Sequence, residues 1–336
     1  MKYNILIPDL LTNTVLEKKI LGKKYKITLT NPKSFKKLND KFFEKVDGVM
    51  VGHHVPLTKN IIKKLKNCKI IVRYGVGFDS VDINQASLQG IRVFNIPDYG
   101  VDEVADHALG LILNLSRFLS GNDEILKEKL RVKKTLWKYD LNKKQKRLKK
   151  LNLGIIGLGR IGMALGYRSK SIFENIMFYD PYKEDGYDKS LGFKRVESLD
   201  EIFKRSDVIS VHVPSSLKNK FFLHDKYFNK IKKNIIFINT SRGDLVKDDT
   251  LAKFYLKQKI LAMGLDVFQK EPISHNSKLS KLWLNKKNTG RIIFTPHVAF
   301  YSEEALFEIR YKGVNTLKKY FQKKIVKNCI NLQHIK

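Results

Sequence analysis

Residues 151–162 carry the run LNLGIIGLGRIG, in which an apolar segment leads into three glycines with the spacing G-x-G-x-x-G. The segment before the loop has the pattern of a buried strand, and residues 163–166 after it have a helical pattern. In such a loop the first glycine allows a tight turn, the second lets the backbone approach a pyrophosphate, and the third lets the helix pack on the strand. The helix N-terminus adds a positive dipole. The run therefore predicts a dinucleotide site whose contacts come from Gly157, Leu158, Gly159, Arg160, Ile161 and Gly162.

A carboxylate follows the next predicted strand. The apolar segment 176–179 is followed directly by Asp180, which lies eighteen residues beyond Gly162. A carboxylate at this position accepts hydrogen bonds from both hydroxyls of an adenosine ribose and repels a 2′-phosphate. The sequence therefore predicts NAD as the cofactor rather than NADP.

Apolar strand patterns recur through the second part of the chain, roughly 25–35 residues apart, which is the length of a βα unit. This rhythm is typical of a doubly wound α/β sheet of parallel strands. Further strands are predicted near the N-terminus, with a helix at about 59–67 and a long core helix at 101–119. The strands predicted from the pattern are 2–8, 49–51, 70–72, 151–156, 176–179, 208–211, 235–238, 261–265 and 292–294.

The composition excludes several classes of protein. The chain has 336 residues, enough for two domains, and hydrophobic residues make up 43%, enough to fill real cores. No apolar run reaches the roughly 18–20 residues of a membrane span, and the N-terminus reads as a strand rather than a signal peptide. Two cysteines form neither a disulfide framework nor a metal-ligand spacing, which favours a reducing cytoplasm and no metal site.

The net charge of +32 suggests a nucleic-acid partner at first sight. However, 53 of the basic residues are lysines and only 12 are arginines, and the lysines are scattered along the chain. Nucleic-acid proteins favour arginine and cluster their charge on one face. The basic run at 143–150 is interpreted as a solvated turn or helix end before a strand. We therefore predict no specific nucleic-acid binding, only a general attraction of anionic ligands.

Three further stretches follow predicted strands, where ligands gather in a doubly wound sheet. Residues 239–243 contain Arg242, which can form a fork on a carboxylate or polarise a keto oxygen. Residues 266–272 contain Glu271 before a proline, and residues 295–299 contain His297. A histidine and a glutamate beside an arginine suggest an acid–base couple with an electrophile.

These stretches, together with residues 70–82 and 95–106, resemble the D-isomer-specific 2-hydroxyacid dehydrogenase family over nearly the whole chain. The sequences of residues 178–182, 190–192, 195–196 and 295–303 are most similar to the C-terminal-binding protein branch. That branch commonly carries tryptophan where this chain has Phe300, a change that keeps an aromatic wall, alters the pocket size and removes an N–H donor.

The resemblance implies two Rossmann-like or flavodoxin-like domains with doubly wound parallel sheets and an active-site cleft between them. A discontinuous substrate-binding domain would comprise residues 1–97 and 308–336, and an NAD-binding domain residues 98–307. It also implies a homodimer, in which the segment 101–119 takes part in the contact.

The resemblance also implies the roles of the three chemical residues. His297 would be the general acid in ketone reduction and the general base in alcohol oxidation, with Glu271 holding its imidazole and keeping it protonated when NADH is bound. Arg242 would bind the substrate carboxylate and polarise the reacting carbonyl.

Other positions are implied to contact the substrate or the cofactor. Backbone N–H groups at Val76 and Gly77 would bind the substrate carboxylate, and Arg73 and Phe300 would line the pocket. His53 is a further pocket candidate, although a loop histidine without a role is an equal alternative. The cofactor contacts outside the glycine loop are expected at Asp180, Val213, Thr240, Arg242, Asp266 and His297, with Asp266 near the nicotinamide carboxamide.

The sequence thus predicts an NAD(H)-dependent oxidoreductase that interconverts a small 2-keto acid and a D-2-hydroxy acid. Two alternatives remain open: an NAD(H)-regulated scaffold resembling a transcriptional corepressor, and a phosphite-type dehydrogenase on the same fold. A formate-type enzyme fits less well, because that branch has an amide residue in place of Glu271. The sequence leaves the identity of the acid open.

Overall fold

The computed structural model describes residues 2–133, 145–216 and 218–334. The chain forms two compact units, one of residues 1–99 with 302–336 and the other of residues 100–301. The domain boundaries predicted from the sequence lie at 97/98 and 307/308. Part of the basic run, at 143–144, lies outside the described residues, and its last residues form a short 3₁₀ turn at Leu148–Lys150.

The first unit contains a five-stranded parallel sheet with the strand order β2-β1-β3-β4-β5. Its strands β1, β3 and β4 lie where the sequence predicts strands, whereas β2 and β5 were not predicted. Both unpredicted strands are at the edges of the sheet. The elements are β1 (Tyr3–Ile7), α1 (Val15–Leu21), β2 (Tyr25–Leu29), α2 (Pro32–Phe35), α3 (Asp40–Glu44), β3 (Gly48–Val51), α4 (Lys59–Lys64), β4 (Ile70–Arg73), α5 (Ile83–Leu88) and β5 (Arg92–Phe94).

The second unit begins with two consecutive helices, α6 (Val101–Arg117) and α7 (Leu119–Arg131). The predicted core helix is α6, which buries Ala105, Ala108 and Ile112 in the core under the sheet. It ends two residues before the predicted limit, because Phe118 adopts a left-handed conformation with φ of 56°. A residue in that conformation interrupts the helical hydrogen bonding.

A seven-stranded parallel sheet forms the centre of the second unit, with the order β12-β11-β10-β9-β6-β7-β8. All six strands predicted here are present, and β8 is an additional strand of two residues at one edge. The elements are β6 (Asn152–Ile156), α8 (Arg160–Ser169), β7 (Asn175–Tyr179), α9 (Tyr187–Leu191), β8 (Lys194–Arg195), α10 (Leu199–Arg205), β9 (Val208–Val211), α11 (Asp225–Asn229), β10 (Ile235–Asn239), α12 (Asp248–Leu256), β11 (Ile260–Leu265), α13 (Lys278–Leu284) and β12 (Ile292–Phe294).

The strand order of this sheet reverses at β6, which pairs with β7 on one side and with β9 on the other. The carboxyl ends of β6 and β9 therefore frame the switch point at which doubly wound sheets bind ligands. Apolar clusters lie on both faces of the sheet, one around Phe203, Phe228 and Phe254 and the other around Leu153 and Leu165. Burial on both faces explains why these strands are continuous apolar runs in the sequence.

The C-terminal helix α14 (Glu303–Lys323) returns the chain to the first unit and buries Ile309, Val314 and Leu317 there. The predicted boundary at 307/308 falls inside this helix. Its Gly313 faces the ring of Tyr74, and a Cβ atom at that position would lie 2.5 Å from the ring. Within the described ranges, no helix is both long and apolar enough to cross a bilayer.

Candidate active site

The glycine loop joins β6 to α8 at the switch point of the seven-stranded sheet. Gly157 has φ of 91°, and a Cβ atom there would lie 2.7 Å from the carbonyl oxygen of His212, at the end of β9. A Cβ atom on Gly162 would lie 2.2 Å from the carbonyl oxygen of Gly157, so the first turn of α8 packs directly on the loop. A Cβ atom on Gly159 would meet no atom within 4 Å. The loop is therefore tight at its two ends and open at Gly159, as a pyrophosphate cradle requires.

Asp180 lies beside this loop at the end of β7. Its Oδ2 accepts a hydrogen bond from the Leu158 N–H at 2.8 Å, and its Oδ1 accepts one from the Tyr182 N–H at 3.0 Å. The carboxylate thus fixes the second residue of the glycine loop. Of the remaining loop residues, Arg160 and Ile161 form the first turn of α8.

Two predicted cofactor residues follow the neighbouring strands β9 and β10. The Cγ2 of Val213 would touch a Cβ atom on Gly157, so Val213 lies against the glycine loop. Thr240 is buried, and its Oγ1 has no hydrogen-bond partner among the described residues. A buried hydroxyl without a protein partner fits a site that a polar ligand completes. Together with the open space at Gly159, these residues fit a dinucleotide.

His212, which follows β9, has a structural environment. Burial lowers its pKa to about 4, so the imidazole is neutral at pH 7. Its Nε2 pairs with the hydroxyl of Ser210 at 2.8 Å. The ring therefore belongs to the interior of the sheet and does not contribute a titrating group near neutral pH.

Arg242 lies in the turn after β10. Its Nη1 donates to the carbonyl oxygen of Ser241 at 2.7 Å, and the side-chain amide of Asn239 donates to the carbonyl oxygen of Arg242 at 2.9 Å. The next residue, Gly243, packs so closely on Phe268 that a Cβ atom would lie 1.9 Å from the backbone carbon of Phe268. Glycine is therefore required to bring this turn against the loop that carries Glu271.

Glu271 and His297, which the sequence predicts to act as an acid–base couple, are in direct contact. Oε2 of Glu271 lies 2.7 Å from Nδ1 of His297, and Oε1 accepts from the Phe268 N–H at 3.0 Å. Burial, the largest single influence, raises the pKa of Glu271. The hydrogen bond and charge of His297, the Phe268 N–H and the charge of Arg242 together outweigh it and lower that pKa below its usual value. The couple therefore holds an ionised carboxylate against the imidazole, and Arg242 is close enough to act on it.

Asp266, at the end of β11, is fully buried at 1% exposure. Its Oδ1 accepts from the Val298 N–H at 2.9 Å and from the Thr295 hydroxyl, and its Oδ2 accepts from the Ala299 N–H at 3.0 Å. Its backbone oxygen also accepts from the His297 N–H at 2.9 Å. In this structure the carboxylate therefore holds the turn that carries His297. Sequence reasoning assigned this residue to the cofactor and missed this second set of contacts.

In the first unit, the end of β4 and the loop after it contain three residues that the sequence predicts to contact the substrate. Arg73 is buried, and its guanidinium occupies the space where a side chain at Gly75 would lie. Val76 is exposed, and its carbonyl oxygen accepts from the side-chain amide of Asn95 at 2.7 Å. Gly77 follows Val76 in the same loop and is half-buried.

The loop of His53 is held by a carboxylate that the sequence did not single out. Asp9 is buried and accepts from the N–H groups of Gly52, His54 and Val55 at 2.6 to 3.0 Å. The rings of His53 and His54 lie 3.9 Å apart. In the other unit, the remaining pocket candidate Phe300 packs over Gly100, its Cβ 3.6 Å from a Cβ atom built there.

Comparison with known proteins agrees with this geometry. The sequence model of the D-isomer specific 2-hydroxyacid dehydrogenase NAD binding domain matches residues 109–299. That match covers more than half of the chain and includes the glycine loop, Asp180 and the residues after β9 to β12. The chain belongs to the D-isomer specific 2-hydroxyacid dehydrogenase family, and the matched region is the NAD binding domain of that family.

Two curated relatives are similar at the same level of identity. The D-3-phosphoglycerate dehydrogenase of Archaeoglobus fulgidus is 31% identical over 291 residues, which cover 87% of this chain and 52% of the relative. That of Methanocaldococcus jannaschii is 31% identical over 307 residues, covering 91% and 55%. The chain thus spans about half the length of both relatives.

A solved structure matches over nearly the full length of both chains. The D-lactate dehydrogenase of Aquifex aeolicus, complexed with NAD and lactic acid, has a TM-score of 0.85 and 28% identity. The match covers 97% of this chain and 99% of that one. The two-sheet α/β fold predicted from the sequence is confirmed by this likeness. Among the described residues, no group of three or more acidic, histidine or cysteine side chains is arranged to hold a metal ion.

Proposed function

We propose that the chain catalyses reversible hydride transfer between NADH and a small 2-keto acid, with a D-2-hydroxy acid as the product of reduction. The observation that carries this proposal is the 2.7 Å contact between Glu271 Oε2 and His297 Nδ1. A carboxylate on Nδ1 orients the ring so that Nε2 can exchange a proton with substrate, and it stabilises the imidazolium form.

The proposed division of roles follows from the residue chemistry. Bound NADH supplies the hydride, which adds to the carbonyl carbon of the keto acid. His297 gives the proton that the carbonyl oxygen needs, and Glu271 stabilises the protonated imidazole before this transfer. Arg242, whose positive charge already acts on Glu271, is the group that binds the substrate carboxylate and polarises the carbonyl.

We assign the cofactor to the residues at the switch point. The loop of Gly157, Gly159 and Gly162 would receive the pyrophosphate, and Asp180 the adenosine ribose. The buried Thr240 hydroxyl supports a polar ligand beside β10. The cofactor contacts proposed in addition are Leu158, Arg160, Ile161, Val213, Arg242, Asp266 and His297.

Several finer assignments remain proposals. Val76 and Gly77 are proposed to bind the substrate carboxylate, with Arg73 and Phe300 lining the pocket. The cytoplasmic location, the homodimer and the special likeness to the C-terminal-binding protein branch also remain predictions. The relatives named above are dehydrogenases, which supports the enzyme over the scaffold alternative.

The relatives suggest which acids to test first. The two curated relatives are named for a phosphorylated hydroxy acid, 3-phosphoglycerate. The structural relative is complexed with lactic acid. The experiment is to measure initial rates of NADH oxidation with pyruvate, glyoxylate, hydroxypyruvate, its 3-phosphate, and branched and thioether 2-keto acids. Reduction of one or more of them to the D-acid is expected.

The matched control compares two histidines of the same unit. His297→Ala should reduce turnover severely while NADH still binds, whereas His275→Ala changes an exposed histidine and should leave turnover unchanged. Equal activity in His297→Ala would rule out the acid–base role. No rate with any 2-keto acid, combined with NADH-dependent binding of a protein partner, would favour the scaffold.

A further inference from the structure

The turn that carries His297 has an unusual backbone. His297 has φ of 53°, in the left-handed region that residues with a Cβ atom rarely adopt. Such a conformation persists only where neighbouring groups hold it. The contact with Glu271 fixes the orientation of the imidazole ring. It does not fix the backbone conformation of His297, which determines the position of the side chain.

The backbone of this turn is held from one side by Asp266. The His297 N–H donates to the Asp266 backbone oxygen at 2.9 Å, and the next two N–H groups, of Val298 and Ala299, donate to its carboxylate at 2.9 and 3.0 Å. A carboxylate that accepts several N–H groups in a buried place forms strong, directional hydrogen bonds. The orientation of Asp266 therefore determines the orientation of the turn.

The carboxylate of Asp266 is in turn oriented by Thr295. The Thr295 hydroxyl donates to Asp266 Oδ1 at 2.5 Å. A hydroxyl has one hydrogen to donate and two lone pairs to accept with. Because its hydrogen is directed to Asp266, Thr295 can only accept from its second neighbour.

That second neighbour is His107, whose Nε2 lies 3.0 Å from the Thr295 Oγ1. The acceptor role of Thr295 requires Nε2 of His107 to carry a hydrogen. Nε2 also lies 3.9 Å from Asp266 Oδ1, and the side chain is 23% exposed. His107 belongs to α6, whose residues Ala105 and Ala108 are completely buried, so it extends from one of the most firmly packed elements of the unit.

We propose that His107 and Thr295 are positioning residues, which hold the Asp266 carboxylate and through it the turn that presents His297. This inference rests on the proposed function, because it concerns the placement of the proposed acid–base group. The chain of contacts runs from α6 through His107, Thr295 and Asp266 to the backbone on either side of His297. Glu271 holds the imidazole, while this second set holds the peptide from which the imidazole extends.

The test uses substitutions that remove or keep single hydrogen-bonding groups. Thr295→Val removes the hydroxyl and keeps the branched shape, whereas Thr295→Ser keeps the hydroxyl. Thr289→Val makes the same chemical change at a surface turn, where the hydroxyl donates to the Lys286 carbonyl at 2.8 Å. His107→Leu removes the donor, and His107→Gln restores an N–H donor at nearly the same reach.

Kinetics of the reductase reaction form the first measurement. Thr295→Val is expected to lower kcat about 10- to 100-fold, the usual effect of a small misplacement of a reacting group. NADH affinity should change much less, because Asp266 is only one of the proposed cofactor contacts. Thr295→Ser and His107→Gln should recover most of the rate. Since His107 acts through Thr295, adding His107→Leu to Thr295→Val should cause no further loss. A Thr295→Val variant as active as Thr289→Val, or one whose loss of kcat is no larger than its loss of NADH affinity, would overturn the proposal.

A second measurement does not depend on activity. In protein labelled with 15N-histidine, the proton on His297 Nδ1 that bonds Glu271 should give a resonance that shifts or broadens in Thr295→Val and returns in Thr295→Ser. An unchanged resonance in Thr295→Val contradicts the positioning role. If the unaltered protein reduces no 2-keto acid, the proposed function fails, and this measurement still decides the positioning role by itself.

Discussion

Glu271 Oε2 lies 2.7 Å from His297 Nδ1, although the two residues follow different strands of the sheet. Glu271 lies in the loop after β11, and His297 in the turn after β12. Because adjacent parallel strands end at the same edge of a sheet, their following loops meet there. The contact between these two side chains is thus a direct consequence of the neighbouring positions of β11 and β12.

The first prediction concerns the charge of this couple. Glu271→Gln keeps a similar shape but removes the negative charge that stabilises a protonated His297. We expect kcat for keto-acid reduction to fall about 100-fold, with little change in NADH affinity. Steady-state rates and an NADH titration measure the two effects separately. Glu271→Asp keeps the charge and is the control. A Gln variant that retains the kcat of the unaltered protein would show that the carboxylate has no role in proton transfer.

The same contact predicts how stability depends on pH. In the folded chain the pKa of Glu271 is lowered from its usual value of 4.5, because the attraction of His297, the Phe268 N–H and Arg242 exceeds the opposing effect of burial. Folding therefore favours the ionised form, and the corresponding stabilisation is present above pH 4.5 and disappears as the pH falls through the lowered pKa. The difference in Tm between the unaltered protein and Glu271→Gln should shrink as the pH falls below 4.5. A difference that grows on acidification contradicts this.

Two glycines of the same loop should behave differently when changed to alanine. Gly162→Ala places a Cβ atom 2.2 Å from the Gly157 carbonyl oxygen, a backbone atom that cannot move aside cheaply. We expect this variant to lose stability by several degrees in Tm. Gly159→Ala meets no protein atom within 4 Å and has an ordinary negative φ, so it should fold normally.

The distinguishing measurement for this pair is cofactor binding at a temperature where both variants are folded. The Cβ atom of Gly159→Ala enters the open space that we assign to the pyrophosphate, so NADH affinity should fall at least about tenfold. A Gly159→Ala variant with unchanged NADH affinity would place the phosphates elsewhere.

Six of the seven strands of the seven-stranded sheet were predictable because they form continuous apolar runs. The edge strand β2 (Tyr25–Leu29) was missed, since it contains Lys26 and is largely half-exposed. The edge strand β8 has only two residues, too few for any pattern. Residue patterns therefore identify continuous apolar strands, including the edge strand β12, better than strands that contain a lysine or are only two residues long.

In the candidate site, too, some contacts could be expected from the sequence and others could not. The contact of Glu271 with His297 could be expected from the sequence, because each residue lies in a loop that follows a recognisable strand. The contact between His107 and Thr295 joins residues 188 positions apart, and it depends on where α6 lies beside β12. Asp9 was missed for the same reason, since its partners in the loop 52–55 are more than 40 residues away. Such contacts are determined by the packing of distant elements, and the local sequence around His107, Thr295 and Asp9 gives no sign of them.

Asp180 carries the prediction on cofactor choice. Its carboxylate accepts from the Leu158 and Tyr182 N–H groups, so it is held in place beside the glycine loop. Asp180→Asn keeps one acceptor oxygen and removes the charge that repels a 2′-phosphate. We expect the Kd for NADH to rise and the Kd for NADPH to fall, changing their ratio about tenfold or more. Fluorescence titrations of both cofactors measure this ratio, and an unchanged ratio would mean that Asp180 does not face the ribose.

The last prediction concerns a buried ion pair in the first unit. Glu17 is completely buried and accepts two hydrogen bonds of 2.8 Å from Arg310, which joins α1 to α14. Glu17→Ala would leave the largely buried guanidinium without its carboxylate, at a cost of about 3–5 kcal/mol in the free energy of unfolding. The exposed pair of Glu308 and Lys312 on α14 is the control, and Glu308→Ala should cost less than about 1 kcal/mol.

The free energy of unfolding of both variants is measured in urea. Amide hydrogen exchange in strand β4 serves as the probe, so that the first unit is observed separately. The decisive comparison is the double variant Glu17→Met with Arg310→Met. If the attraction between Glu17 and Arg310 mainly offsets the cost of burying the two charges, two apolar side chains of similar length should recover most of the stability that Glu17→Ala loses. If the bidentate contact instead fixes α1 against α14, the double variant should stay as unstable as Glu17→Ala. Because the desolvation cost of the two charges is large compared with their net attraction, we expect the double variant to recover stability. A loss of stability in Glu17→Ala no greater than that in Glu308→Ala would contradict the burial argument itself.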